Sequence, residues 1–181
     1  MNPKQPDIAR DNSWMASLQS LDTRTLFALL QHPQREPLTK AALVTSFTAD
    51  GWLYFLLLPA IMIIKPEETR DYLHLALAAF ALERTLYFSF KNLFRRRRPP
   101  AAIEGFHSVI TASDRFSLPS GHTSAAFLFV TFLCFGLHWI FLPLYAWACA
   151  VGAARVILGV HFPTDVVLGA LLGSSIAIFI L

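Results

Sequence analysis

The sequence predicts an all-α protein: a polytopic transmembrane helix bundle of about five spans, preceded by an N-terminal amphipathic helix. Three observations carry this expectation. Hydrophobic residues make up 55% of the 181 residues. Several apolar runs approach the roughly 20 residues that cross a bilayer, and short polar or basic connections separate them. A chain that crosses lipid has to satisfy its backbone groups internally, which selects helices. The length fits one domain, with residues 1–12 read as a polar tail and residues 13–181 as a single membrane-embedded unit. The net charge of +3 suits anionic headgroups, and no soluble fold presents the basic residues to nucleic acid. Cys134 and Cys149 fall within apolar runs, without disulfide or zinc spacing.

In residues 13–30, Leu18, Leu21, Leu26, Phe27, Leu29 and Leu30 recur at roughly helical spacing, interrupted by Asp22 and Arg24. Such a helix either lies on the membrane surface or packs against the bundle. The first span, about residues 38–64, is broken by Asp50 and Gly51. Intramembrane carboxylates default to a functional reading, but a polar contact within the bundle or near the interface is preferred for Asp50. Residues 65–71 are a charged connection. The second span, about 72–90, contains Glu83 and Arg84 and runs into K-N-L-F-R-R-R-R-P-P from Lys91. Arg95, Arg96 and Arg97 read as a headgroup-attracting cluster. Lys91 and Arg98, seven residues apart, point the same way if the helix continues, and Pro99 and Pro100 then end it.

Residues 101–118 form a polar loop in which His107 is a weak candidate for any role. The loop closes on Pro119-Ser120-Gly121-His122, immediately before an apolar run, so a helix is expected to begin there. Ser120 can cap it, Gly121 lets a ligand approach the backbone, and free N–H groups at a helix start bind phosphate-like anions. His122 then stands beside that anion. Spans three and four, about 123–135 and 140–158, are joined by a very short turn and are therefore antiparallel. His138 in that turn lies at the opposite membrane face.

The stretch A-R-V-I-L-G-V-H-F-P-T-D, residues 154–165, organises the rest. Arg155 ends an apolar run, Gly159 permits the chain to leave the helix, and Pro163 suits the first turn of the last span, about 166–181. His161 falls in the connection. Asp165, four residues on, can accept one imidazole N–H and leave the other ring nitrogen free, as a nucleophile or base is held. Counting along the spans brings Lys91, Arg98, His122, Arg155 and His161 to one membrane face, a convergence that structure alone does not explain.

The pattern K-x6-R-P from Lys91, P-S-G-H from Pro119 and R-x5-H-x3-D from Arg155 resembles the three-part signature of the type 2 phosphatidic acid phosphatase family, over roughly residues 21–181. The third motif usually begins with serine, and here Ala154 stands in its place. The resemblance implies that Lys91, Arg98 and Arg155 hold the phosphate oxygens, with the Ser120 hydroxyl and the Gly121 N–H. It implies further that His161 attacks phosphorus to give a phosphohistidine, Asp165 fixes its tautomer, and His122 serves as acid and then base. No cofactor or metal is implied, and the sequence has no carboxylate cluster with metal-ligand spacing. The expected partners are the bilayer and a phosphorylated membrane lipid. Undecaprenyl diphosphate comes first, then phosphatidylglycerophosphate, phosphatidic acid and lipid A phosphates. A lipid phosphotransferase would keep the same residues. A non-catalytic membrane anion-binding protein would need only the cations, and the histidines with Asp165 argue against it. The resemblance places the site on the extracytoplasmic side of a bacterial inner membrane. The positive-inside rule points the other way, because Arg35, Lys40 and Arg95 to Arg97 would then lie outside.

Overall fold

The computed structural model describes residues 13–30, 35–64 and 66–181; the expected tail and Lys65 lie outside them. Among the described residues the chain is a helix bundle, and a single bridge between Arg97 and Phe116 stands in place of any strand. Helix α1 (Ser13–Leu30) is followed by α2 (Arg35–Thr48) and α3 (Trp52–Ile64), then by the long α4 (Pro66–Phe94) and the one-turn α5 (Pro99–Ala102). After the polar loop come α6 (Gly121–Phe132), a π-helical turn at Leu133–Leu137, a 3-10 turn at Trp139–Phe141, α7 (Leu144–Ile157) and α8 (Pro163–Ile180).

Two segments, Trp139–Ile157 and Pro163–Ile180, are each long and apolar enough to cross a membrane. The α2–α3 pair passes only as one span bent by 43° at the Asp50-Gly51 break, where Gly51 takes φ +99°. Gly121–Leu137 is apolar but shorter. Among the described residues, two of the expected spans thus meet this test of length and composition, or three with the bent pair, and the others are shorter or more charged. Helix α4 falls outside this count although its 29 residues reach about 43 Å, because charges recur along it from Glu67 to Lys91. Large apolar side chains are nonetheless exposed around the bundle, among them Phe55, Ile63, Trp139 and Phe179. That suits a lipid surround and would be a liability in water.

Helix α6 is the central strut, with every residue but His122 and Phe127 buried. Helix α8 lies backbone to backbone against it. A Cβ on Gly169 would sit 2.6 Å from the Ser120 carbonyl oxygen, and one on Gly173 2.0 Å from that of Ser124. Small residues at such crossings are how helices pack where no hydrophobic effect drives them together. This contact fixes the start of α8, with Asp165, beside the start of α6, with His122.

Helix α1 packs against the bundle. Leu26 is fully buried with Val156 and Phe162, and Asp22, expected only as an interruption, is 1% exposed. Leu18, Leu21, Phe27 and Leu29 remain on its outer side. Two further expectations are corrected. Helix α4 stops at Phe94, and Arg95 turns out of it with φ +48°. Arg98 therefore reaches the site from an extended segment and does not share a helix face with Lys91. Pro99 and Pro100 do not end that helix; Pro99 starts α5, where a missing N–H costs nothing.

Candidate active site

His161 sits in the α7–α8 turn, 2% exposed, where Gly159 at φ +75° passes under the Phe106 ring. Its Nε2 lies 3.1 Å from Arg98 Nη1. A guanidinium can only donate, so Nε2 carries the lone pair and the ring proton belongs on Nδ1. Burial pushes the imidazole down to about 4, against the pull of the Asp165 hydrogen bond and with help from the Arg98 charge. It is therefore neutral at physiological pH.

Asp165 stands behind it, but less directly than expected. Oδ2 is 3.6 Å from His161 Nδ1, and the Ser117 hydroxyl, 3.5 Å from the same nitrogen, donates to that oxygen. The Phe162 N–H also donates to Oδ2, at 2.8 Å, closing the first turn of α8. The other oxygen accepts from Arg96 Nη1 at 2.6 Å. Arg96 goes on to Asp22 Oδ2 at 2.5 Å and to Gln19 Oε1 at 2.9 Å, with its guanidinium over the Phe162 ring. Asp22 in turn accepts from the Thr164 N–H and hydroxyl. Arg96 is thus no headgroup contact. It is an internal clamp joining α1, the start of α8 and the carboxylate behind His161, and neither Ser117 nor Asp22 was singled out by the sequence.

Arg98 and Arg155 face a cavity of about 610 Å³. Arg98 donates Nη1 to the Val160 carbonyl at 2.7 Å and Nη2 to Asp114 Oδ1 at 2.7 Å. Lys91 donates to the same Asp114 oxygen at 2.5 Å and to the Phe116 carbonyl at 2.7 Å, and the Tyr87 hydroxyl donates to Asp114 Oδ2 at 2.8 Å. Burial alone would raise the Asp114 carboxyl, but the bonds from Lys91, Arg98 and Tyr87 outweigh it and hold the group far below the usual carboxylate range. In the sequence Asp114 is one residue of the polar loop. Here it sits where Lys91 and Arg98 converge, as an oxyanion would. Arg155 donates Nη1 to Ser46 Oγ at 2.6 Å, while its buried Nε has no partner among the described residues.

His122 Nε2 is 2.7 Å from Asp50 Oδ1, so the polar contact expected for Asp50 is made to a candidate site residue, and both line the cavity. Gly121 lines the cavity, where the Tyr87 ring leaves no room for a side chain at that position. Ser120 begins α6 without a side-chain cap. Its hydroxyl, fully buried, is 2.9 Å from Thr123 Oγ1 instead. Neither Ser120 nor Lys91 is on the cavity wall, whereas Arg98, Arg155, His122 and His161 are. His107 is exposed and, among the described residues, bonded only to the nearby Gly105 carbonyl.

One signal in α4 went unread. Leu73, Leu77, Phe80, Arg84, Tyr87 and Lys91 recur at alternating steps of four and three, which places them on one helix face. All but Lys91 line the cavity. The stripe changes from apolar to cationic along its length, and Phe55, Leu58 and Pro59 of α3 face its apolar half.

A cation-walled, amphiphilic cavity within an apolar helix bundle is suited to an anionic headgroup with an apolar tail. Residues 72–181 match the model of the PAP2 superfamily, and the chain belongs to this family of membrane lipid phosphatases. It is 34% identical over 143 residues to the bacitracin transport permease protein BcrC of Bacillus licheniformis, a match spanning 76% of this chain and 68% of that one. It is 36% identical over 98 residues to YbjG of Escherichia coli, provisionally named an undecaprenyl-diphosphatase, over 52% of this chain and 49% of that one. Among solved structures it resembles the transmembrane PAP2-type phosphatidylglycerolphosphate phosphatase of Bacillus subtilis. There the TM-score is 0.74 and the identity 26%, over 91% of this chain and 84% of that one.

Proposed function

We propose that this protein hydrolyses the phosphate monoester or diphosphate of a membrane lipid through a phosphohistidine on His161. The observation that carries the reading is the buried, neutral imidazole on the wall of a cation-lined cavity, its Nε2 kept unprotonated by the Arg98 guanidinium, which an entering phosphate draws onto its own oxygens. Nε2 forms the bond to phosphorus as the phosphorus bond to the lipid-side oxygen breaks, and His122 delivers a proton to that oxygen. Asp165 takes up the charge that appears on the ring. Water, deprotonated by His122, then attacks phosphorus, the N–P bond breaks, and orthophosphate leaves with His161 neutral again.

Charge in such a transition state spreads over the equatorial oxygens, so fixed donors supply most of the stabilisation. Arg98 and Lys91 exchange Asp114 for phosphate oxygens, Arg155 offers its unpaired Nε, and the Gly121 N–H and Ser120 hydroxyl complete the set. These groups supply the positive charge, so the reading requires no metal. The apolar half of the cavity accepts a lipid tail. Undecaprenyl diphosphate is the first choice, in line with the name of the Escherichia coli relative. Phosphatidylglycerophosphate, named for the Bacillus subtilis structure, follows, then phosphatidic acid and lipid A phosphate.

The test is phosphate release from a panel of lipid phosphates by purified protein in detergent, with chelator present. Activity that survives chelation and is inhibited by vanadate supports the mechanism, and strict dependence on a divalent metal sinks it. His161→Ala should abolish release while a phosphorylated lipid still binds; unchanged turnover removes the nucleophile assignment. We place the site on the extracytoplasmic side of a bacterial inner membrane. In a chain lacking Cys134 and Cys149, Ser108→Cys should then be labelled in intact cells by an impermeant thiol reagent and Leu137→Cys should not. The reverse pattern would reverse the orientation.

A further inference from the structure

Arg84 lies outside all three motifs and has no part in the mechanism above, yet its guanidinium faces the cavity. Along the α4 stripe it occupies the step between Phe80, the last apolar residue, and the Tyr87–Lys91 end. A substrate with its tail along Leu73, Leu77 and Phe80 and its reacting phosphate at Arg98 and His161 passes Arg84 in between.

The surroundings fix the guanidinium without consuming it. Glu83, fully buried, holds Nε and Nη2 in a two-pronged pair at 2.5 and 2.6 Å, and Nη2 also reaches the Gly121 carbonyl at 3.4 Å. Nη1 makes no hydrogen bond among the described residues, and the side chain stays 43% exposed. A pair meant only to neutralise Glu83 would not need to present its free edge to the cavity. Arg84 and Lys91 both stack on the Tyr87 ring, at 4.4 and 4.7 Å from its centroid. The two charges are therefore no more than about 9 Å apart, which suits two linked anionic groups. Arg84 also touches Gly121, the neighbour of His122, so it stands on the leaving-group side of the reacting phosphorus.

We propose that Arg84 is the recognition site for a second phosphate, the one left on the lipid when a diphosphate is cleaved, and that it selects diphosphates over monoesters. This rests on the hydrolase reading above, because it takes its leaving-group side from His122. Asp50 is the acidic group on that side. Its hydrogen bond to His122 makes that pair neutral overall when the histidine is protonated as the acid, so Asp50 adds no net repulsion, and the second phosphate meets the free Nη1 edge of a guanidinium whose charge Glu83 balances. A monoester presents only its tail at this point and gains nothing from Arg84.

The experiment compares wild type with the Glu83→Gln/Arg84→Gln double variant, which removes the buried carboxylate together with its partner, and with Arg84→Lys, which keeps a cation for Glu83. Binding of inorganic pyrophosphate and of orthophosphate is measured calorimetrically in detergent, beside kcat/KM for a polyprenyl diphosphate and the polyprenyl monophosphate of equal chain length. The expected result is a loss of at least about tenfold in pyrophosphate affinity and in diphosphate kcat/KM for the double variant. Arg84→Lys should fall in between, with the orthophosphate and monophosphate values within about twofold of wild type. Equal losses for one and two phosphates, or no loss, would overturn the proposal and leave Arg84 a structural partner of Glu83. Pyrophosphate binding does not depend on turnover. If wild type released phosphate from no lipid, the hydrolase reading would fall while the binding comparison still decided the subsite.

Discussion

Replacing Arg96 by methionine separates an internal clamp from a headgroup contact. Its side chain is 19% exposed, and the carboxylates it holds belong to Asp22 and Asp165, at 1% and 0%. Removing one partner of a buried ion pair costs about 3–5 kcal/mol, because the other charge is left uncompensated. Each carboxylate here keeps other donors: Thr164 on Asp22, and Ser117 and the Phe162 N–H on Asp165. We therefore take the lower end, about 3 kcal/mol for the variant as a whole. For a chain of this size that lowers the melting temperature by about 6–12 °C. Thermal unfolding in detergent reads it, and Asp22→Asn completes a double-mutant cycle with an expected coupling above about 1 kcal/mol. A melting temperature within 2 °C or so of wild type, together with lost binding to anionic vesicles, would refute the clamp and restore the headgroup reading.

Three other outcomes follow from the geometry. His161 has its folded-state value pushed below the ordinary 6.5 to about 4, so at pH 5 about nine-tenths of it stays neutral, against about 3% for an unperturbed imidazole. The unfolded chain binds the extra proton between those values, so stability is full above about pH 6.5 and falls as pH drops toward 4. A ¹⁵N titration of His161 showing half-protonation near 6.5 would contradict this. Asp50→Asn should slow cleavage about tenfold for an alkyl phosphate but little for p-nitrophenyl phosphate, whose leaving group needs no acid; equal slowing would mean that Asp50 does not act through His122. Gly173→Ala forces a Cβ to within 2.0 Å of the Ser124 carbonyl and should cost about 1–3 kcal/mol, read as a lower melting temperature. Gly136→Ala, whose tightest contact is a movable Leu181 methyl at 3.0 Å, with the Phe132 ring at an ordinary 3.5 Å, should cost much less.

The main lines of the site were legible because charge is rare in this chain. An arginine, a histidine and a carboxylate within eleven residues of an apolar region stand out, as do P-S-G-H and the Lys91–Arg98 spacing. The rest was hidden for identifiable reasons. Four consecutive arginines carry no periodicity that says which faces inward. That was decided by the end of α4 at Phe94 and the left-handed turn at Arg95, which send Arg96 toward α1 and Arg98 toward His161. Asp22, Ser117 and Asp165 come from three distant segments, and nothing local in any of them announces the others. Asp50 looked like a break in a span because it is one; the same break that bends α2 against α3 exposes the carboxylate to His122. The α4 stripe, by contrast, was fully present in the sequence. Average hydropathy over the span hides it; only the change in character along one face reveals it.

Asp114 shows what a cation site within an apolar bundle requires when no phosphate is bound. Lys91 and Arg98 both reach one point, and two like charges there would repel at low dielectric. A carboxylate supplied by the protein's own loop removes that repulsion and keeps both side chains in their binding orientation. Arg98 Nε on the Asp114 carbonyl, 3.0 Å away, ties the loop to the site through the backbone as well. Two charge-assisted bonds to one carboxylate oxygen would make this a strong contact in isolation. An entering phosphate has to exchange for it rather than add to it, so part of the binding energy is spent on displacing the carboxylate. A pocket arranged in this way holds its phosphate less tightly than three bare cations would. In the proposed cycle that is an advantage: once the N–P bond of the phosphohistidine breaks, orthophosphate would face a competitor already tethered beside it, and the loop that yielded to the substrate would assist release.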